Sequence, residues 1–415
     1  MLIVTDSRVW SPGEGRNYRF TRMVSGLCRY GIHIDLVTSR KNLNKEDIAC
    51  LRSAGIKKII TGENSDKNKH RSGIRSAIRK YCPNFILSIV RSGLNAMQQI
   101  ILLLVSREKK VPVLSELRSS LLPALVQEYV QRYSPDFIMV EYIMHAYALD
   151  FLKQYPEHDK PVTMIDTHDV AFQRCESFSR HGVMPPFNIS RQEEKEILSN
   201  FDIIIAIQDE DRQVFEGMLP DSNVVTCLPS CPVNVMSPCS NIDAKSLMFM
   251  GGNSTPNSEG LSQFLKYAWT DIRKLHPDAA LKVYGTVCRR FEGKTYPGVL
   301  FEGYVADPRT AYSKAAIVIS PVTFGSGLKI KTLEGLGYGR PVVATTHSAA
   351  GLKGAVGQGL FIAADWGDFA SIIDNLLQNP IKIESAGKSA SDYIARHFSG
   401  SCVMNDLLKA MNKKK

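Results

Sequence analysis

Short apolar runs separated by longer stretches of helical period recur along the whole 415-residue chain. This alternation constrains the fold more than any single motif. A βαβα order is satisfied by parallel sheets with helices on both faces. The first unit runs from Leu2-Ile3-Val4 through a loop at Ser11 to Arg16, a helix-like stretch around Thr21 to Tyr30, a stop at Gly31, and Ile32 to Val37. Further strands are expected at Phe85 to Val90, Phe137 to Val140, Val162 to Ile165 and Asp202 to Ile207. Ile203-Ile204-Ile205 is apolar without alternation, as a strand covered on both faces requires. Ser190 and Glu193 have capping-box spacing and open a helix that runs to about Ser199.

Residues 228–245 carry three prolines and three serines with little periodicity, which reads as an interdomain linker. Alternation then restarts, with strands expected at Leu247 to Met250, Leu281 to Tyr284, Val299 to Phe301, Ala316 to Ile319, Pro341 to Thr345 and Leu360 to Ile362. The expected architecture is α/β: two Rossmann-like parallel-sheet domains, 1–240 and 241–385, facing across a cleft. A helix near 386–412 is expected to pack back on the first. Ligands in such folds bind at the carboxyl ends of strands.

Composition supports an ordered chain: 44% hydrophobic and 22% charged residues. No apolar run approaches the roughly 18 residues of a membrane span; Ile100 to Val105 ends at Ser106-Arg107-Glu108. The opening MLIVTD does not resemble an export signal, and nine irregularly spaced cysteines suit a reducing compartment, so a cytoplasmic location is expected. Cys227, Cys231 and Cys239 lack zinc-module spacing, and neither a metal nor a cofactor is expected.

The net charge of +10 is unevenly spread. Residues 1–120 hold 22 Lys and Arg against 9 Asp and Glu; the rest hold 29 against 32. A one-sided field suits an anionic partner or only a solvated surface. Nucleic-acid modules and aromatic stacking motifs are absent, so nucleic acid is not an expected partner. Within the basic portion, Arg71, Arg75 and Arg79 recur every four residues, and Ile74, Ala77, Ile78 and Tyr81 form an apolar stripe. This predicts an amphipathic helix, suited either to a core with a solvated face or to an anionic membrane surface.

The segment from Phe324 to Ala344 carries the most chemistry. Gly325 and Gly327 allow backbone to approach a ligand closely. A helix expected to start near Gly327 offers free N–H groups and a positive dipole end to phosphate. Lys329 and Lys331 add charge, and Lys331 shares a helix face with Glu334. A cation near the helix start and a carboxylate one turn deeper match a nucleoside diphosphate. A surface ion pair has the same spacing. The P-loop order is absent, and Tyr18 interrupts a dinucleotide fingerprint after Gly13-x-Gly15.

Gly325-Ser-Gly-Leu-Lys-Ile-Lys-Thr-Leu-Glu334 resembles the donor signature of GT-B glycosyltransferases, in the large retaining group numbered family four. Met250-Gly251-Gly252 with Pro256-Asn257, Val283-Tyr284-Gly285, Phe301 to Val305 and Asp166-Thr167-His168-Asp169 resemble the family's other elements in order. The resemblance is dense over 160–380 and looser before. It implies that Glu334 binds the nucleotide ribose, that Gly251, Gly252 and Asn257 sit at the diphosphate, and that Lys331 neutralises it. Gly325, Ser326, Gly327, Leu328 and Lys329 would complete the donor loop, with Tyr304 and Val305 at the base. His168 would lie near the donor sugar, and Gly13, Gly15 and Arg16 would face the acceptor. Read from the residues themselves, Asp166 and Asp169 orient the His168 ring or simply cap the following helix, and Asp169 is also a candidate base.

The sequence departs from the family at two points. A glutamate eight positions before Glu334 is replaced by Ser326, and no Arg or Lys follows Gly251-Gly252 before Leu265. The implied reaction is transfer of a sugar, with retention, from a nucleotide-diphosphate sugar to a hydroxyl of a glycan or lipid-linked acceptor, in surface polysaccharide or lipopolysaccharide synthesis. The protein would lie on the inner face of the plasma membrane. The rival readings are a nucleotide-sugar epimerase on the same fold and a non-enzymatic nucleotide-sugar-binding protein.

Overall fold

The computed structural model describes residues 1–10, 15–62, 111–233 and 245–414. The strand expected at 85–90, the amphipathic helix with Arg71, Arg75 and Arg79, and Gly13 lie outside the described residues. Two parallel sheets account for the strands. The first holds β1 (Leu2–Val4), β2 (Asp35–Val37), β3 (Lys58–Ile60), β4 (Phe137–Glu141), β5 (Val162–Asp166), β6 (Ile203–Ala206) and β7 (Val224–Thr226), in the order β3-β2-β1-β4-β5-β6-β7. The second holds β8 (Ser246–Met250), β9 (Ala280–Tyr284), β10 (Val299–Gly303), β11 (Ile317–Ser320), β12 (Val342–Thr345) and β13 (Leu360–Ala363), in the order β10-β9-β8-β11-β12-β13.

Both sheets are covered on both faces. Leu2 and Val4 of β1 enter one apolar cluster while Ile3 enters the other. In β6, Ile204 points to the first cluster, and Ile203 and Ile205 to the second. The period-2 geometry of a strand thus distributes an unbroken apolar run over two cores.

Sheet order reverses between β1 and β4 in the first sheet and between β8 and β11 in the second. Crevices open at such switch points, outside the carboxyl ends of the strands. The loops following β4, β5, β8 and β11 carry most of the residues singled out in the sequence.

Local signals explain most boundaries. Helix Arg191–Leu198 opens on the Ser190–Glu193 capping box, with Glu193 N–H donating to Ser190 Oγ at 3.2 Å and Ser190 N–H to Glu193 Oε2 at 2.7 Å. Gly31 takes φ +80 just after helix Gly15–Arg29, which starts six residues before the expected Thr21. The two edge strands β3 and β7 were not expected; each is three residues long and β3 is only partly covered, so neither leaves a strong periodic signature.

The single helix expected near 386–412 is two. Helix Pro380–His397 packs on the second domain, and the chain turns at Phe398. Helix Gly400–Lys414 then returns to the first sheet, burying Val403, Met404, Leu407, Ala410 and Met411 with residues of β1 and helix Gly15–Arg29. No described helix is long and apolar enough to cross a membrane.

Candidate active site

A cleft of about 530 Å³ opens between the carboxyl ends of the two sheets. A larger hollow of about 770 Å³, lined by Tyr147, Lys160, Thr163 and Asp202 among others, contains none of the signature residues.

The wall from the second domain is built around the loop after β11. Gly325 has φ +114 and Gly327 has φ +64, conformations that L side chains rarely adopt. A Cβ on Gly327 would lie 2.8 Å from the backbone oxygen of His168 in the other domain, so the close approach also demands glycine. The following helix is Ile330–Gly337, starting three residues later than Gly327 because the two positive-φ glycines keep the loop extended. Lys329 turns back and donates to the carbonyls of Ser326 and Gly327, both at 2.9 Å, bracing the loop. Leu328 is buried beneath it.

Lys331 does not pair with Glu334. Its ammonium donates to Asn257 Oδ1 and lies over the Phe249 ring, 4.8 Å from the centroid. Asn257 Nδ2 donates in turn to the carbonyl of Gly252 at 2.9 Å, joining the Gly251-Gly252 loop to Lys331. A Cβ on Gly252 would meet nothing within 4 Å, so that backbone faces open space. Burial, with Lys329 adding to it, pushes Lys331 down to about 7, and burial holds Lys329 at about 8 against the pull of Asp169 and Asp211. Two crowded lysines with depressed pKa values form a site that gains charge when an anion arrives. Glu334 lines the same cleft; burial raises it to about 7, and the one described hydrogen bond of its carboxylate is a long one from Tyr312 Oη at 3.5 Å.

Tyr304 and Val305 fall differently from the expectation. Tyr304 is half exposed and Val305 packs on an apolar cluster; the cleft is lined instead by Ala306 and Pro308 of the same loop.

The opposite wall is made by the ends of β4 and β5. Glu141 and Asp166 are register neighbours and both are buried. Arg19 of helix Gly15–Arg29, itself buried, grips Asp166 with Nε at 2.8 Å and donates to the carbonyl of Cys227 at 2.6 Å. Burial alone would raise the Asp166 carboxyl; the Arg19 guanidinium outweighs it and holds the group below the usual range. At Glu141 burial outweighs the pull of His168 and the same Arg19, and the carboxyl is pushed up. His168 Nε2 lies 2.7 Å from Glu141 Oε2, and its ring stacks on Tyr142 at 3.8 Å between centroids and 9° between planes. His168 and Tyr142 both have positive φ, +61 and +66, an unfavourable backbone for such residues that concentrates at functional sites. Glu141, Asp166 and His168 are the one described group whose ligand atoms are close enough to hold a metal, but the cation among them is the Arg19 guanidinium.

The walls touch. Asp169 is held by Arg174 Nη1 at 2.9 and 3.1 Å and accepts from Ser326 Oγ at 2.6 Å. Gly325 N–H donates to Ser177 Oγ at 3.0 Å, and Phe324 lies against Phe178 and the stacked ring of His181. Gly15 starts the first helix, whose Asn17, Tyr18 and Arg19 line the cleft; the side chain of Arg16 is not among those described.

Sequence reasoning missed Glu141, Tyr142, Arg19 and Arg174. Glu141 had a signal: a carboxylate ending an otherwise apolar strand, as Asp166 does. The others had none, because their partners lie on other elements.

Two parallel-sheet domains whose strand ends face one another across a cleft form the GT-B fold. Residues 244–379 match the family model Glycosyl transferases group 1, and solved structures with the same two-domain fold are similar over the whole chain. Similar solved structures include sucrose-phosphate synthase from Thermosynechococcus elongatus, 14% identical with a TM-score of 0.68 over 100% of this chain and 99% of that one. A TarM mutant from S. aureus, in complex with fondaparinux, alpha-GlcNAc-glycerol and UDP, is 13% identical with a TM-score of 0.68 over 99% of each chain. HepE from Anabaena, in complex with UDP-glucose, is 13% identical with a TM-score of 0.64 over 99% of each. No curated protein matches the sequence.

Proposed function

We propose that the protein transfers a sugar from a uridine diphosphate sugar to a hydroxyl of a glycan or lipid-linked acceptor, with retention of anomeric configuration. The observation that carries this reading is the pairing of Lys331 and Glu334, unbonded to each other, in one cleft opposite His168. The diphosphate lies along Gly251, Gly252 and the start of helix Ile330–Gly337, where Lys331 and free backbone N–H groups meet its charge. Glu334 accepts protons from ribose hydroxyls. Two similar structures hold UDP or UDP-glucose, which supports uridine as the base.

Breaking the anomeric bond builds positive charge on the sugar and negative charge on the leaving phosphate. Lys331 and the helix start stabilise that phosphate by charge already in position. The leaving phosphate takes the acceptor proton as the acceptor attacks from the same face. His168 lies at the sugar, oriented by Glu141 and Tyr142. The touching walls exclude water that would otherwise hydrolyse the donor. The acceptor enters along the N-terminal wall, near the start of helix Gly15–Arg29. The basic balance of residues 1–120 supports an acceptor held at an anionic membrane surface, at the inner face of the plasma membrane, in surface polysaccharide or lipopolysaccharide synthesis.

The test is incubation with labelled UDP-sugars and lipid-linked glycans. UDP release that depends on acceptor, with an α-linked product from an α-linked donor, is expected. Failure of the protein to bind any nucleoside diphosphate sugar by calorimetry would overturn the reading.

A further inference from the structure

Asp169 is a carboxylate at the meeting point of both domains, and its bonding is incomplete. An ionised carboxylate accepts about four hydrogen bonds. Among the described residues Asp169 accepts three: two contacts from Arg174 Nη1, one to each oxygen, and one from Ser326 Oγ to Oδ2. The unfilled position is on Oδ1. The residue is about nine-tenths buried, yet it lines the donor cleft. It follows His168 directly, and its neighbours across the cleft are Ser326 and Gly327.

Ser326 is differently placed. Its hydroxyl proton is already spent on Asp169, so it has none to give a ligand and does not itself supply a carboxylate. The group in this corner that can accept a proton from a sugar hydroxyl is Asp169. Arg174 fixes its orientation from below, and Ser326 fixes it from the other domain.

We propose that the glycosyl-recognition carboxylate of this enzyme is Asp169, contributed by the N-terminal wall and aligned by Ser326 from the donor wall. This rests on the donor reading above and adds the class of sugar. The glycosyl group presents a free hydroxyl to Asp169 Oδ1 and is uncharged there, since a uronic acid would set a second carboxylate against the first. The subsite is complete only when the walls are in contact, so recognition of the sugar and closure of the cleft are one event. Arg174 acts as a positioning residue: it touches Asp169, not the sugar.

The experiment compares binding of UDP, GDP and ADP with binding of neutral UDP-hexoses (glucose, galactose, N-acetylglucosamine) and UDP-glucuronic acid, by calorimetry. Four full-length proteins are used: wild type, Asp169→Ser, Ser326→Glu, and the double variant carrying both. A hydrogen bond to a charged group corresponds to about tenfold or more in affinity. Wild type should bind one neutral UDP-hexose about tenfold more tightly than UDP-glucuronic acid. Asp169→Ser should lose this preference while UDP affinity stays within about twofold. Ser326→Glu alone should lose it too, because two carboxylates would then face each other. The double variant moves the carboxylate to the opposite wall, re-pairs Arg174 and should regain the preference. Ser326→Ala, which keeps Asp169 and Arg174 but removes the aligning hydrogen bond, should fall between wild type and Asp169→Ser, giving a readout even where a charged variant melts early; a preference equal to that of wild type overturns the alignment by Ser326. Unchanged preference in Asp169→Ser, or a double variant no better than either single at equal melting temperature, overturns the proposal. Binding of UDP by every variant with those results overturns it alone; no nucleotide binding by wild type overturns the donor reading as well.

Discussion

His168 Nε2 lies 2.7 Å from Glu141 Oε2, and the imidazole is clamped on its other side by the stacked ring of Tyr142. The ring is therefore fixed in place before any ligand arrives. Among the described residues Glu141 Oε1 is buried with no hydrogen-bond partner, so the contact with His168 is the carboxylate's one described hydrogen bond. Glu141→Ala should lower kcat by about tenfold, the equivalent of one charge-assisted hydrogen bond, with little change in KM for the donor. Steady-state kinetics at saturating acceptor test this. A variant with unchanged kcat would remove Glu141 from the positioning of His168.

Donor affinity should depend on pH from both sides. Lys331 has a pKa of about 7 in the empty site, depressed by burial and then by Lys329, and a bound diphosphate raises it. Its contribution is full below about 7 and is lost as pH rises past that value. Glu334 has a pKa of about 7, raised by burial, and accepting ribose hydroxyls lowers it. Its contribution is full above about 7 and is lost as pH falls below it. A bell centred near neutrality is expected in calorimetric titrations with UDP. Lys331→Met should abolish the alkaline limb, and Glu334→Gln the acid limb. A flat profile in wild type would contradict both assignments.

Glu334 should serve binding at the expense of stability. Its folded pKa of about 7 lies above the ordinary 4.5, so its favourable contribution is full below about 4.5 and is lost as pH rises through 7. Glu334→Gln should therefore melt higher than wild type at pH 8, with the difference vanishing near pH 5, and should bind UDP far more weakly. Calorimetric melting at the two pH values measures it. A variant that melts lower at pH 8 would show that the carboxylate stabilises the fold.

Arg19 is fully buried between Asp166 and the carbonyl of Cys227. Removing one member of a buried ion pair leaves an uncompensated charge and costs about 3–5 kcal/mol. Arg19→Met should lose stability on that scale in urea titration, and Arg19→Met with Asp166→Asn should recover most of it. No recovery in the double variant would mean that Arg19 acts through packing and its contact with Cys227.

The sequence by itself determined the two-sheet architecture. Periodicity is local, and a residue's neighbours two or four positions away report which face it buries; hence β1, β5 and β8 fall within a residue of their expected bounds. The loop from Gly325 to Glu334 was legible for the same reason, since glycines, lysines and a carboxylate at fixed spacing marked it as a candidate phosphate site. Tertiary structure decided the partners. Glu141 and His168 are 27 residues apart, Arg19 and Asp166 are 147 apart, and Ser326 and Asp169 are 157 apart. Each pair meets because sheet order or domain contact brings distant strand ends together, and no spacing in the chain encodes that. It also decided that Lys331 turns to Asn257 and not to Glu334, because the cleft, not the helix surface, sets which groups lack water.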